Sequence, residues 1–180
     1  MDVNIKDVRD AVKAKPLAEL REDRAVSGVS TDTRTIAKDD LFFALKGVRF
    51  DAHDFLKEAF EKGARHFVVS DPKRVPAELK RSANVLVVQD TLQAYGDLAK
   101  AYRQKFRVPA VAITGSSGKT TVKELTAHVL SQKFKVLKNR GTENNLVGVP
   151  KTLLGLDPSY QVMVIEMGTN RPGEIDRLSS

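Results

Sequence analysis

At 180 residues, with 41% hydrophobic and 29% charged side chains, the chain has the composition of one large folded domain or two small ones, not of a disordered segment. It has no cysteine, which excludes disulfides and thiolate metal sites; no apolar run reaches membrane-spanning length and Met1–Asp10 is too polar for a secretory signal, so a cytoplasmic location with no membrane partner is expected. The formal charge of +7 suits a nucleotide substrate or a solvated basic surface; the cations are scattered and aromatics make up only 6%, so no nucleic-acid partner is expected.

Asn4 is placed to cap a helix whose apolar positions Ile5, Val8 and Val12 keep helical spacing, and Pro16 lies past its end. Ala25 to Ile36 mixes alternating apolar residues with hydroxyls and ends in Ser30-Thr31-Asp32-Thr33-Arg34. Leu41 to Leu45 reads as a buried strand stopped by Lys46-Gly47. A helix is expected from Asp51, with Phe55, Leu56, Ala59 and Phe60 on one face and Gly63 at its C-terminal cap. His66 to Ser70 and Val85 to Gln89 are further apolar strands, separated by a Pro-containing segment. From Thr91 a helical stripe of Leu92, Tyr95, Ala99, Tyr102 and Phe106 runs to just before Pro109. A boundary near Arg107 gives two units, 1–107 and 108–180.

The second unit starts with an apolar strand, Ala110 to Ile113, followed by Thr114-Gly115-Ser116-Ser117-Gly118-Lys119-Thr120-Thr121. Strand, glycine turn and lysine-led helix are the order a phosphate-binding loop needs. Gly115 and Gly118 let backbone N–H groups face a polyphosphate, and the helix N-terminus adds unpaired donors and a favourable dipole. Lys119 is placed to reach the β- and γ-phosphates of ATP and the Thr120 hydroxyl to coordinate Mg²⁺. The spacing is shorter than the common G-x-x-x-x-G-K-[ST], whose first glycine would fall at Ile113; read alone, the stretch is also compatible with an ordinary strand–turn–helix corner.

Val122, Leu125 and Val129 are expected to bury one face of the helix that follows. A short strand is expected over Phe134 to Leu137, a polar loop over Asn139 to Asn145, and a helix over Val149 to Leu156 with Pro150 in its first turn. Val162 to Ile165 reads as a strand buried on both faces, ending in Glu166-Met167-Gly168, and Pro172 to Ile175 starts another helix. At most three strands are too few to cover a doubly wound sheet, so a truncated domain is expected.

Glu166 would stand on the carboxyl rim of a parallel sheet, where an acid is suited to hold Mg²⁺ opposite Thr120; the plain alternative is an exposed strand-end glutamate. Ser30 to Arg34 concentrates hydroxyls, a carboxylate and a guanidinium suited to uracil, ribose or pyrophosphate, but read alone it is better explained as a capped turn. His53, His66 and His128 show no metal-ligand spacing; His66 is expected to be structural, His128 at the surface, and Asp39-Asp40 a solvated turn.

Together, Ala112 to Thr121, Asn144 to Leu154 and Glu166 to Ile175 resemble the Mur ligases, a family that builds the peptide of bacterial cell-wall precursors and also uses the shortened glycine spacing. Ser30 to Arg34, Asp40 to Gly47 and Asp51 to Phe55 are similar to the family's UDP-binding domain, with Ala52 where glycine is usual; Arg171 stands where histidine is common. The resemblance implies an α/β protein: a small N-terminal α/β UDP-binding domain followed by a truncated P-loop-type parallel-sheet ATPase domain. It implies an ATP- and Mg²⁺-dependent ligase of peptidoglycan synthesis, most like the branch that joins D-alanyl-D-alanine to UDP-N-acetylmuramoyl-tripeptide through an acyl phosphate. Lys119 and Glu166 would be catalytic, Thr120 and Glu166 would hold the metal, and Thr114 to Thr121 with Asn144 and Asn145 would line the nucleotide site. Ser30, Asp32, Thr33, Arg34, Lys46, Gly47 and His53 would hold the UDP end. Another, amino-acid-adding Mur ligase and a non-catalytic nucleotide-binding module are the alternatives, and this length of chain is expected not to turn over alone.

Overall fold

The computed structural model describes residues 3–21, 25–47 and 50–179. These form two compact units, one ending at Leu98 and the next starting at Ala99.

The first unit begins with α1 (Ile5–Ala11), whose N-cap Asn4 accepts from the Asp7 N–H at 2.8 Å, so that Ile5 and Val8 turn inward. Five short strands follow: β1 (Lys15–Pro16), β2 (Val29–Ser30), β3 (Leu41–Phe43), β4 (His66–Val69) and β5 (Asn84–Val87). They lie in the order β1-β5-β4-β3-β2, with β2 to β5 mutually parallel and β1 an antiparallel edge. Parallel neighbours need crossovers, supplied by α2 (Leu56–Glu61) between β3 and β4 and by α3 (Ala77–Ser82) between β4 and β5. On one side of the sheet, alternate strand residues Phe42, Phe67, Val69 and Val85 pack with Leu56, Ala59 and Leu79. Phe42 and Phe67 are almost solvent-free, and each contributes roughly 1.5–3 kcal/mol through burial. On the other side, Phe43 meets Tyr95 of α4 (Thr91–Arg103) edge-on, with ring centroids 5.1 Å apart.

The sequence reading misses two elements and misplaces one acid. β1 is too short to show a period, and α3 hides in the segment read only as Pro-containing, where Pro76 is its N-cap residue. Asp40 does not lie in a solvated turn. It is buried, accepts from the Ala37 N–H at 2.8 Å, and its carboxyl is pushed up by burial.

The second unit contains β6 (Ala110–Ile113), α5 (Lys119–Ser131), β7 (Val136–Lys138), α6 (Gly148–Leu154), β8 (Val162–Glu166) and α7 (Glu174–Ser179). The sheet order is β6-β8-β7 and every pair is parallel. β8 is central and buried along its length, which accounts for its unbroken apolar run. Tyr102 donates its hydroxyl to the Leu156 carbonyl at 2.9 Å, fixing the end of α4.

The expected face of α5 is not the buried one. Val122, Leu125 and Val129 are exposed at 49, 61 and 67%, whereas Lys123 and Ala127 are buried. The helical period is right and its phase is wrong, because α5 rests on β7 and β8 through the positions adjoining the apolar ones. No described helix is long and apolar enough to cross a membrane.

Candidate nucleotide and substrate sites

In the second unit, β6 delivers the chain into a loop whose glycines have backbones that side-chain-bearing residues rarely adopt: φ is +144° at Gly115 and +76° at Gly118. No atom lies within 4 Å of where a Cβ would stand at either, so the requirement is conformational, not steric. Gly118 is the N-cap of α5 and supplies no side-chain cap. Lys119 folds back over the loop, its Nζ donating to the Gly115 carbonyl at 2.7 Å. Thr120 is the next residue of α5 and is half-buried.

The pairing of Ile113 with Glu166 puts Glu166 at the carboxyl end of β8, beside the strand that enters this loop. Asn139, at the end of β7, clamps Glu166 by its backbone: its Nδ2 donates to the Glu166 carbonyl at 2.8 Å and its Oδ1 accepts from the Glu166 N–H at 2.9 Å. The carboxylate, only 1% exposed as a residue, receives the Asn144 Nδ2 on Oε1 at 2.7 Å. Gly168 leaves room for this contact: a Cβ there would meet the Asn144 side chain at 2.8 Å and push it aside. Oε2 has no hydrogen-bond partner among the described residues. A buried carboxylate oxygen left in this state fits a hard cation. Thr120 and Glu166 would form a sparse protein set for Mg²⁺, which usually takes one or two carboxylates and completes its shell with substrate phosphates and water.

Lys123 and Asn139 escaped the sequence reading. Lys123 is one helical turn past Lys119, and its burial shows only once the phase of α5 is known. Asn145 does not reach Glu166: its Oδ1 accepts from the Val147 and Gly148 N–H groups at 3.0 and 2.9 Å and starts α6.

In the first unit, the carboxyl ends of adjacent parallel strands gather the residues expected at the UDP end. β2 ends at Ser30, whose Oγ donates to the Asp32 carbonyl at 2.9 Å. Asp32 caps the 3-10 turn Thr33–Thr35 and binds the Arg34 guanidinium, with Nε 2.9 Å from Oδ1. Arg34 hydrogen bonds hold the Asp32 carboxyl down at about 2. Lys46 and Gly47 follow β3, and the Gly47 N–H donates to the Phe50 carbonyl at 2.7 Å. Phe50, 62% exposed, stacks on Phe55 with centroids 4.8 Å apart and offers a flat apolar surface that sequence reading overlooked.

His53 is buried, and both its ring nitrogens are engaged. Nε2 accepts the Ser70 and Asp71 N–H groups at 3.0 and 3.3 Å, which leaves Nδ1–H to donate to Asp51 Oδ1 at 2.6 Å. It thereby ties the turn after β3 to the end of β4. Arg74 bridges Asp51 and Asp54. Burial pushes the Asp51 carboxyl up, but hydrogen bonds from the His53 N–H, the His53 ring and Arg74 bring it down to about 2.

Two sheets of parallel strands, the first with one antiparallel edge strand and the second carrying a glycine turn that opens a lysine-led helix, are the arrangement of a known ligase family. Residues 25–103 match the family model "Mur ligase family, catalytic domain", and 113–180 match "Mur ligase middle domain". The chain belongs to the Mur ligase family. It is 48% identical over 153 residues to the UDP-N-acetylmuramoyl-tripeptide–D-alanyl-D-alanine ligase of Escherichia coli, covering 85% of this chain and 32% of that protein. Among solved structures, MurF from Acinetobacter baumannii superposes with a TM-score of 0.90 at 36% identity, over 98% of this chain and 38% of that one. MurF ligase from Thermotoga maritima, solved in complex with ADP, superposes with a TM-score of 0.75 at 32% identity, over 84% of this chain and 34% of that one. The chain thus spans about a third of the length of the relatives it matches.

Proposed function

We propose that this chain carries the UDP-substrate-binding unit (1–107) and the start of the ATP-binding unit (108–180) of a cytoplasmic ligase that joins D-alanyl-D-alanine to UDP-N-acetylmuramoyl-tripeptide. The observation that carries the reading is the shared rim of Glu166 and the Lys119 loop, with Glu166 Oε2 buried and receiving no hydrogen bond among the described residues, the Lys123 ammonium standing 3.6 Å away. The similarity to named D-alanyl-D-alanine ligases and to an ADP-bound MurF supports it.

In this reading the acceptor's terminal carboxylate attacks the γ-phosphorus of ATP and ADP departs. The amine of the dipeptide then attacks the acyl phosphate and displaces phosphate, leaving an amide. Lys119 swings from the Gly115 carbonyl to the transferring phosphate and offsets its charge, while Gly115, Gly118 and the first turn of α5 present N–H groups to the polyphosphate. Thr120 and Glu166 would hold Mg²⁺, which supplies charge neutralisation when bound. Asn144 aims the carboxylate through its hydrogen bond to Oε1, and Asn145 sets the adjoining helix. Ser30, Asp32, Thr33, Arg34, Lys46 and Gly47 hold the uridine diphosphate, Phe50 offers the base a stacking surface, and His53 braces their turn.

Calorimetric titration of ATP with Mg²⁺, and separately of UDP-N-acetylmuramic acid, tests this on the 180-residue chain. Each is expected to bind once, and the first only with an intact Lys119. Loss of ATP binding alone would remove the ATPase assignment. Failure of the UDP-sugar alone would remove the substrate assignment.

A further inference from the structure

Lys123 is fully buried. Its ammonium donates to the Asn139 and Gly141 carbonyls at 3.1 and 2.7 Å, and lies 3.2 Å from Glu124 Oε1 and 3.6 Å from Glu166 Oε2. A lysine taken wholly out of water needs its charge paired, and here the burial falls on the partner of the proposed metal ligand. Glu124 is also paired with Lys138, so Lys123, Lys138, Glu124 and Glu166 balance to zero among themselves. The two carbonyls hold the ammonium in place, and it cannot swing away without leaving both unpaired.

Resting on the assignment of Glu166 to the metal, we propose that Lys123 is a positioning residue that keeps Glu166 as its counter-ion and so makes divalent-metal binding there conditional on the polyphosphate. A dication entering a balanced cluster meets a buried ammonium where screening is weak. A polyphosphate on the Lys119 loop brings the negative charge that offsets the repulsion. Lys123 therefore couples the two ligands without touching the nucleotide.

The test follows Mn²⁺ binding to the 180-residue chain by the electron paramagnetic resonance of free Mn²⁺, alone and with a saturating non-hydrolysable ATP analogue. The wild-type chain should bind Mn²⁺ at least about tenfold more tightly with the analogue. Lys123→Gln keeps a donor for the carbonyls and removes the charge. It should tighten nucleotide-free Mn²⁺ binding and narrow the ratio, and adding Glu166→Gln should cancel that gain. A lysine of merely structural importance would weaken both affinities together, so an unchanged ratio in folded K123Q overturns the proposal. Should K123Q not fold, nuclear magnetic resonance of the wild-type chain decides. Mn²⁺ alone must leave the Asn144 side-chain amide sharp and broaden it only with the analogue; broadening without nucleotide overturns the proposal. If the wild type binds no analogue at all, the nucleotide reading fails first, an outcome distinct from binding with an unchanged ratio.

Discussion

The two units carry similar sheets and treat the polar residues on their carboxyl rims in opposite ways. In the first, the side chains satisfy one another: Asp32 holds Arg34, and His53 spends both ring nitrogens on Asp51 and two backbone N–H groups. In the second, the glycine turn stands open, Lys119 rests on a loop carbonyl, and Glu166 Oε2 receives no hydrogen bond among the described residues, facing the Lys123 ammonium at 3.6 Å. A rim that is internally paired presents a preformed surface whose cost is already met on folding. A rim left with an open glycine turn and a carboxylate oxygen that receives no hydrogen bond is stabilised by what binds it. Substitutions in the first should therefore register mainly as stability, and substitutions in the second mainly as affinity.

The largest separation is expected from Lys119→Ala. Among the described residues its ammonium donates only to the Gly115 carbonyl, and the residue is partly exposed, so folding should be nearly unchanged. Affinity for ATP with Mg²⁺ should fall by about 100-fold, the scale of one or two charge-assisted hydrogen bonds. Calorimetry beside a thermal melt reads both; a large fall in melting temperature with affinity preserved would reverse the contrast. The complementary case is His53→Ala, which leaves the Ser70 and Asp71 N–H groups without their acceptor. Unfolding in urea should show a loss of about 2 kcal/mol in the first unit, with ATP affinity little altered.

The legibility of the two rims followed the same division. Glycines at 115 and 118, a lysine at 119 and a five-residue buried strand ending in Glu166 are local signals, and each appears in the structure at its expected element. The Asn4 cap and the apolar strands of the first sheet were legible for the same reason. What was hidden depends on tertiary pairing. His53 looks like a free rim histidine until the end of β4 is brought against it, and Asp40 looks solvated until Ala37 folds over it. Lys123 sits beside Val122 in a pattern that fits two helix phases, and only the position of β7 and β8 under α5 selects between them. α3 and β1 are too short for periodicity to reveal.

Acid sharpens the contrast further. The Asp51 carboxyl is held at about 2, below its ordinary 3.8, so its stabilising contribution is complete above that ordinary value and disappears as pH falls through the folded one. With a side chain 21% exposed, this amounts to about 2 kcal/mol at most. Asp32 has a similarly lowered carboxyl, but its side chain is 37% exposed and its partner Arg34 83% exposed, so solvent screening reduces its share. Asp51→Asn should flatten the stability curve between pH 4 and pH 2 more than Asp32→Asn does, as read by urea midpoints at each pH. Equal flattening would mean that burial around His53 adds nothing to the pairing.

Gly168→Ala should have the smallest effect, and it separates aiming from holding within the second rim. The added methyl would overlap the Asn144 side chain, whose amide is the hydrogen-bond donor to Glu166 Oε1, while the Asn139 clamp on the Glu166 backbone is untouched. Stability should fall by about 1 kcal/mol as Asn144 moves aside, since the clash is with a side chain and not with backbone. ATP affinity without metal should be unchanged, because the loop at Lys119 is not involved. Affinity with Mg²⁺ should drop about threefold to tenfold, the scale of one hydrogen bond to a charged group. Equal losses with and without Mg²⁺ would show that Asn144 supports the fold of this rim and does not direct the carboxylate.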